Sequence, residues 1–257
     1  MSFYDIKTIF FDLDDTLCAY WDAAKWGLRQ TFSEVEIEGI KPIQMMKAWA
    51  TEFQLFCPHL TSQGWKEQYL VKGESTRTEL MRRTLRHLGI VDENLAVSLS
   101  EIYFKNRSTA LRLFPDARAI LDSLKGQIPL GVMTNGPADI QRHELQHLEI
   151  EEYFDFVLIE GELGFGKPEE RVFAKAEDLS GTSGSQILMV GNSFAHDIVP
   201  AMSHQWTTAW IRRPSDVPPS AKEGVGPEPI PTSGPLPNLI VKSLDQVYQA
   251  LMSPSGK

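Results

Sequence analysis

The stretch Ile9-Phe10-Phe11-Asp12-Leu13-Asp14-Asp15-Thr16 joins an apolar run to three acids that fall within four positions. Residues 8–11 are β-formers and read as a buried strand, so Asp12 and Asp14 sit on the loop that follows its carboxyl end. Ligands of open α/β sheets bind beyond the carboxyl ends of the strands, which puts these acids where a site belongs. Two carboxylates at i and i+2 repel each other unless a proton or a cation stands between them. A divalent metal is therefore the first partner to consider. Three further polar groups have the same character: Thr134-Asn135, Lys167, and Asn192-Ser193 with Asp197. Singly, each has an ordinary reading as a turn, a solvated cation or a charge at a helix start. Their recurrence at or just after successive strand ends is the stronger observation.

The elements that must position these groups follow from hydrophobic periodicity. Residues 20–32 look like a turn leading into a helix. Helical spacing then dominates: Ile43, Met46, Trp49, Ala50 and Phe53 form one stripe, and Leu80, Thr84, Leu85 and Leu88 a second. Leu95, Leu99, Ile102 and Tyr103 form a third, and Pro115 opens a helix that Gly126 ends. From there strands at 128–133, 154–159, 187–190, 207–211 and 239–241 alternate with helices, among them 137–148 and 244–251. A Gly-rich loop leads to Gly166-Lys167-Pro168, and a further loop and helix begin over 191–197. This alternation is the pattern of a parallel sheet with crossover helices. The fold class is α/β, a Rossmann-like parallel sheet with helices on both faces. A lone strand at residue 8 is unstable, so it joins that sheet. The core then comprises residues 1–18 and 114–257, and residues 19–113 form an inserted all-α lid. Residues 212–238 are rich in proline and lack apolar periodicity, which reads as a mobile surface excursion dispensable for the chemistry.

With 257 residues the chain buries enough surface to need no covalent staple. A hydrophobic content of 42% with 23% charged residues is that of an ordinary globular protein. The net charge of -9 argues against a general nucleic-acid binder, because phosphate backbones demand basic surfaces. No apolar run reaches membrane-spanning length, and the start of the chain lacks the pattern of a secretion signal. Two cysteines, Cys18 and Cys57, fit packing positions in a reducing, cytoplasmic setting better than a disulfide.

In their order and spacing these groups resemble the haloacid dehalogenase superfamily, chiefly its phosphatases with an α-helical cap inserted after the first motif. Asp12-Leu13-Asp14-Asp15-Thr16 fits that superfamily's DxDxT signature position for position, and the resemblance covers nearly the whole chain. It implies that Asp12 is the nucleophile that attacks phosphorus and that Asp14 is the general acid and base. Thr134, Asn135 and Lys167 would bind the phosphoryl group. Asp12, Asp14, Asp197 and Asn192 would surround a Mg²⁺ ion, and the substrate would be a small phosphorylated metabolite.

The chemistry requires such residues, because a phosphate dianion repels an anionic nucleophile until a cation and a lysine offset the charge. The dehalogenase branch lacks an acid two residues after its nucleophile, so Asp14 points to phosphoryl transfer. The chain departs from the family pattern at residue 192, where Asn192 stands in place of an acid. That exchange removes one negative charge from the metal's surroundings. His196 reads as a surface or helix-start residue, since a hard cation prefers oxygen. Tyr20, Trp21, Trp26, Arg77 and Arg107 are candidates to touch the leaving group, but packing or a solvated face is the simpler role for each, so they name no substrate. A sugar phosphomutase on the same core, or a catalytically silent member that binds a metabolite, is the alternative reading.

Overall fold

The computed structural model describes residues 5–221 and 226–253. Strand β1 (Thr8–Phe11) is followed by α1 (Tyr20–Glu34), α2 (Pro42–Phe56), α3 (Lys66–Val71), α4 (Gly73–His87) and α5 (Glu93–Ala110). Helix α6 (Pro115–Leu124) leads back to β2 (Leu130–Thr134), and α7 (Ala138–His147) leads on to β3 (Phe156–Ile159). Then come α8 (Glu160–Leu163), α9 (Glu170–Ser180), β4 (Ile187–Gly191), α10 (Val199–Ser203), β5 (Thr207–Ile211), β6 (Leu239–Val241) and α11 (Leu244–Met252). The six strands form one parallel sheet in the order β3-β2-β1-β4-β5-β6. The chain winds outward from β1 to β3 and then returns to the other side of β1. The crevice beyond β1 and β4 is therefore the switch point of the sheet, where ligands of such folds bind.

All four residues of β1 are buried, because a central parallel strand is covered on both faces. Ile9 and Phe11 pack with Ile120, Leu124 and Val247 on one face, whereas Phe10 packs with Phe173, Ala201 and Trp206 on the other. The Phe10 ring lies over β2 only because residue 131 is glycine: a Cβ there would come within 2.3 Å of the ring. Helices α1 to α5 carry a separate core that includes Leu28, Met45, Trp49, Phe56, Met81 and Leu99. Each such side chain contributes roughly 1.5–3 kcal/mol on burial, so the insert has the means to hold its own shape.

The parallel sheet and the helical run after β1 agree with the sequence reading, and the differences have local causes. Pairing in β2 starts at Leu130, since Pro129 has no N–H to donate. Helix α1 begins at Tyr20 itself, the expected turn lying earlier at residues 15–17, and the Asp15 carboxylate accepts from Trp21 N at 3.2 Å in the first turn of the helix. In α2 the buried side is Met45, Ala48, Trp49 and Phe56, while Ile43 is 58% exposed. The expected loop after β3 contains the one-turn helix α8, too short for periodicity to reveal.

The proline-rich stretch, expected as a surface excursion, is anchored at its start. Arg213 is 6% exposed and donates to Thr16 O at 3.0 and 3.2 Å while pairing with Asp116 at 2.9 Å. Residues 222–225 of that stretch lie outside the described residues. Among the described residues no helix is long and apolar enough to cross a membrane.

Candidate active site

Leu13 turns the chain sharply after β1, with Leu17 N bonded to Leu13 O at 2.9 Å and Asp15 in the left-handed region at φ 56°. This turn holds Asp12 directly above the sheet. Thr16 Oγ1 donates to Asp12 Oδ2 at 2.8 Å, and Lys167 Nζ donates to Asp12 Oδ1 at 2.7 Å. The same ammonium reaches Asp197 Oδ1 at 2.6 Å. Lys167 thus stands buried between two buried carboxylates, one beyond β1 and one beyond β4.

Asp197 sits on a short π-helical turn, Phe194–Ile198, which Asn192 and Ser193 connect to the end of β4. Its Oδ2 accepts from Ser193 N at 2.8 Å and lies over Gly191, where a Cβ would meet it at 2.3 Å. Only glycine at the end of β4 lets this acid fold back over the strand. His196 on that turn is exposed and hydrogen-bonds Ser193 Oγ at 3.0 Å.

On the β2 side, Thr134 Oγ1 donates to Gln141 Oε1 at 2.6 Å, and Gln141 Nε2 donates to Asp14 Oδ2 at 3.2 Å. Gln141 also reaches Glu144 Oε2 at 3.2 Å, and Glu144 Oε1 pairs with Arg107 from α5 at 2.8 Å. Glu144 is fully buried and Arg107 is 4% exposed, so this ion pair ties the helical insert to the sheet side of the site. Asn135 uses both ends of its amide on the Lys167 backbone, accepting from N at 2.8 Å and donating to O at 2.6 Å. Its side chain therefore holds the lysine's backbone in place. Asn192 donates to Asp216 Oδ2 at 3.0 Å.

A cavity of about 680 Å³ opens above these groups, lined from the sheet by Asp12, Asp14, Thr134, Asn135, Lys167, Asn192 and Asp197. The insert forms its other wall, with Trp21, Trp49, Phe53, Lys66, Tyr69 and Arg77 among the lining residues. All seven sequence-predicted site residues meet in this one space. Of the five leaving-group candidates, Tyr20, Trp21, Arg77 and Arg107 line it, whereas Trp26 does not and is 42% exposed.

Burial sets the charges. It raises the Asp12 pKa to about 6, with Lys167 opposing the rise and Asp197 adding to it. It holds Asp14 well above the usual carboxylate range, helped by the charge on Glu144. Asp15 is pushed up to about 8 by burial and by Asp216, and Asp216 to about 6 by burial against its bond from Asn192. Burial works against the charge of Lys167, but Asp12 and Asp197 outweigh it and its pKa lies above that of an ordinary lysine. Asp12, Asp14, Glu144 and Asp197 thus crowd around two cations, Lys167 and Arg107, and Asp15 and Asp216 add further negative charge beside Asp12. Among the described residues no three His, Cys, Asp or Glu side chains form a ready-made metal centre, because the lysine stands where two of the acids meet.

Sequence reasoning missed Gln141, Glu144, Arg213 and Asp216. A signal existed for the first two: Gln141 and Glu144 share the side of α7 that carries Leu145 and Ile140, all of them buried. None existed for the last two, which lie in an aperiodic stretch.

Comparison with known proteins bears on the same set of elements. An N-acylneuraminate-9-phosphatase from Mus musculus is 26% identical over 260 residues, which span 98% of this chain and 96% of that protein. A glyceraldehyde 3-phosphate phosphatase from Methanothermobacter thermautotrophicus is 31% identical over 198 residues, 76% of this chain and 81% of its own length. The solved structure of the HAD-hydrolase YfnB from Bacillus subtilis, bound to magnesium, matches the fold with a TM-score of 0.68 at 19% identity, over 96% of this chain and 99% of that one. The profile of the haloacid dehalogenase-like hydrolases matches residues 6–202, from β1 with its acids to the turn that carries Asp197. That match spans most of the chain and every strand end that feeds the cavity, and the protein belongs to the haloacid dehalogenase-like hydrolases.

Proposed function

We propose that this hydrolase cleaves small phosphomonoesters through an aspartyl-phosphate on Asp12, with Mg²⁺ as its cofactor. Residues 19–113 act as the cap over a core of 1–18 and 114–257. The observation that carries the reading is Lys167 Nζ, buried and shared between Asp12 and Asp197 on the floor of the cavity. A fixed ammonium beside a carboxylate nucleophile is what an incoming phosphate dianion requires. Several relatives carry the names of phosphatases of small phosphorylated metabolites, which supports the substrate class.

The donor set suits a hard divalent cation. The groups on offer are carboxylate and amide oxygens, and buried acids outnumber the cations around them. Asp12, Asp197 and the Asn192 amide oxygen would hold Mg²⁺ beside Asp14. When bound, the ion neutralises charge between the phosphate and its nucleophile.

In the first step an Asp12 carboxylate oxygen attacks phosphorus, the bond to the alkoxide breaks, and Asp14 delivers a proton to that oxygen. Burial and the charge on Glu144 raise the Asp14 pKa, which favours the proton it has to deliver. In the second step Asp14 takes a proton from water, the resulting oxygen attacks phosphorus, and the bond to Asp12 breaks to return the carboxylate and free phosphate. Lys167 donates to the phosphoryl oxygens in both steps, and Thr134 turns its hydroxyl from Gln141 to one of them. Asn135 keeps Lys167 aimed throughout.

Hydrolysis of p-nitrophenyl phosphate is expected with Mg²⁺, is expected to stop on exhaustive chelation with EDTA, and should return when Mg²⁺ is added in excess. Turnover that survives chelation would remove the metal from the reading. A hydroxylamine-labile phosphate trapped on the protein by rapid acid quench tests the intermediate separately.

The bridge from Thr134 through Gln141 to Asp14 makes a second prediction. Gln141→Leu keeps the volume but removes the amide that holds Asp14 Oδ2 and leaves that carboxyl, among the described residues, only the weak Cys18 thiol as a donor, so proton delivery suffers. General acid catalysis matters most for poor leaving groups and is worth about 10²–10⁴-fold. The variant should therefore lose roughly tenfold or more in kcat on alkyl phosphates and much less on p-nitrophenyl phosphate. Equal losses on both would mean that Gln141 serves only packing.

A further inference from the structure

Asn192 stands between the catalytic turn and the start of the proline-rich stretch. Its Nδ2 donates to Asp216 Oδ2 at 3.0 Å, and its Oδ1 faces Thr16 Oγ1 at 3.4 Å, the hydroxyl that also binds Asp12 at 2.8 Å. An ionised Asp216 only accepts, so the amide must turn its NH₂ toward Asp216 and its oxygen toward the side of Asp12. Asp216 does not line the cavity; it stands behind Asn192.

The position of Asp216 is built. Three residues earlier the buried Arg213 donates twice to Thr16 O, pairs with Asp116, and lies 3.6 Å from the centre of the Phe114 ring. Asp216 N then closes the turn by donating to Arg213 O at 3.1 Å. Both side chains of this short segment thus reach the same catalytic turn, one by Thr16 and one through Asn192. Trp210 Nε1 donates to Asn192 O at 2.8 Å and fixes the backbone of the amide from the other side.

We infer that Asp216 is a positioning residue of the cation site: it aims the Asn192 oxygen at the space beside Asp12 and supplies, one amide away, the negative charge that Asn192 lacks. The inference rests on the reading that the site takes Mg²⁺. The acid stands on the loop, and the amide at the strand end. Its charge acts on the ion across a hydrogen bond, as groups behind a metal's direct ligands do.

Calorimetric titration of Mg²⁺ into the substrate-free protein tests this without reference to turnover. Asp216→Asn retains an oxygen to accept from Asn192 and removes only the charge, so Mg²⁺ affinity should fall by about 10–100-fold. The exchange Asn192→Asp with Asp216→Asn moves the charge to the strand end and should recover affinity to within a few-fold of the wild type. Thermal unfolding of the metal-free proteins serves as the control for folding, and if the single variant unfolds the exchange alone decides. Unchanged affinity in Asp216→Asn, or an exchange variant that binds Mg²⁺ a hundredfold more weakly than wild type, overturns the inference while the metal reading stands. A wild-type protein that fails to bind Mg²⁺ overturns both.

Discussion

Asp12→Asn is expected to reduce turnover by about 10⁴-fold or more, the scale on which removing a nucleophile acts, while the fold persists. The amide is the same size, keeps one oxygen to accept from Lys167 while its NH₂ faces the Thr16 hydroxyl, which can turn to accept, and cannot form the acyl phosphate. Stability should move the opposite way from activity. Burial holds the Asp12 pKa at about 6 in the folded, metal-free protein against 3.8 as its ordinary value. A raised folded pKa means that the group's contribution is fully present below about pH 4 and is lost as pH rises through 6. The variant cannot ionise, so relative to wild type it should gain stability across that window and keep the gain at pH 8. Thermal unfolding in EDTA at pH 4 and pH 8 reads this directly, beside turnover in a sample verified free of deamidation. Near-normal turnover would refute the nucleophile, and a stability difference that shrinks as pH rises would refute the charge argument. Such a trade is expected of a site that keeps a buried acid for its chemistry.

The sheet was legible because its strands are apolar runs that stop abruptly at polar residues. Phe11 to Asp12, Met133 to Thr134 and Val190 to Asn192 each mark a carboxyl end, and Asp12, Thr134 and Asn192 do line one cavity. Lys167 was legible for a different reason: it sits in a Gly-Lys-Pro turn that the alternation of strands and helices brings to the same edge. The inner supports of the site were legible only in part. Gln141 and Glu144 share the buried side of α7 with Ile140 and Leu145, but nothing local names Arg107, 37 positions before Glu144, as the partner that the insert brings to them. Arg213 meets Thr16 across 197 positions of sequence, a distance over which no local pattern carries information. Helix α2 has apolar residues on two adjoining stripes, and the helices that pack against it select Met45 and Ala48 over Ile43. In each case tertiary contact decides what local sequence leaves open.

Lys167→Met is expected to damage both fold and function. The thioether keeps most of the side chain's volume, but Asp12 and Asp197 lose the one ammonium that each of them holds at 2.7 and 2.6 Å. Breaking a buried ion pair from one side typically costs about 3–5 kcal/mol, because the partner's charge is left uncompensated. Here two partners are stranded, and burial leaves them little water to turn to. The metal-free variant should therefore unfold at markedly lower temperature at pH 8. Protonating the acids at low pH should recover much of that loss, since a neutral carboxyl no longer needs the cation. Added Mg²⁺ should also recover part of it by taking over the charge. Turnover should remain low in Mg²⁺, reduced by about 10²–10³-fold or more, because the ion cannot donate hydrogen bonds to the phosphoryl oxygens as the ammonium does. Combining Lys167→Met with Asp12→Asn removes one of the two stranded charges, so the double variant should be more stable than Lys167→Met alone. Strict additivity of the two stability changes would mean that Lys167 and Asp12 do not depend on each other, contrary to their shared bond.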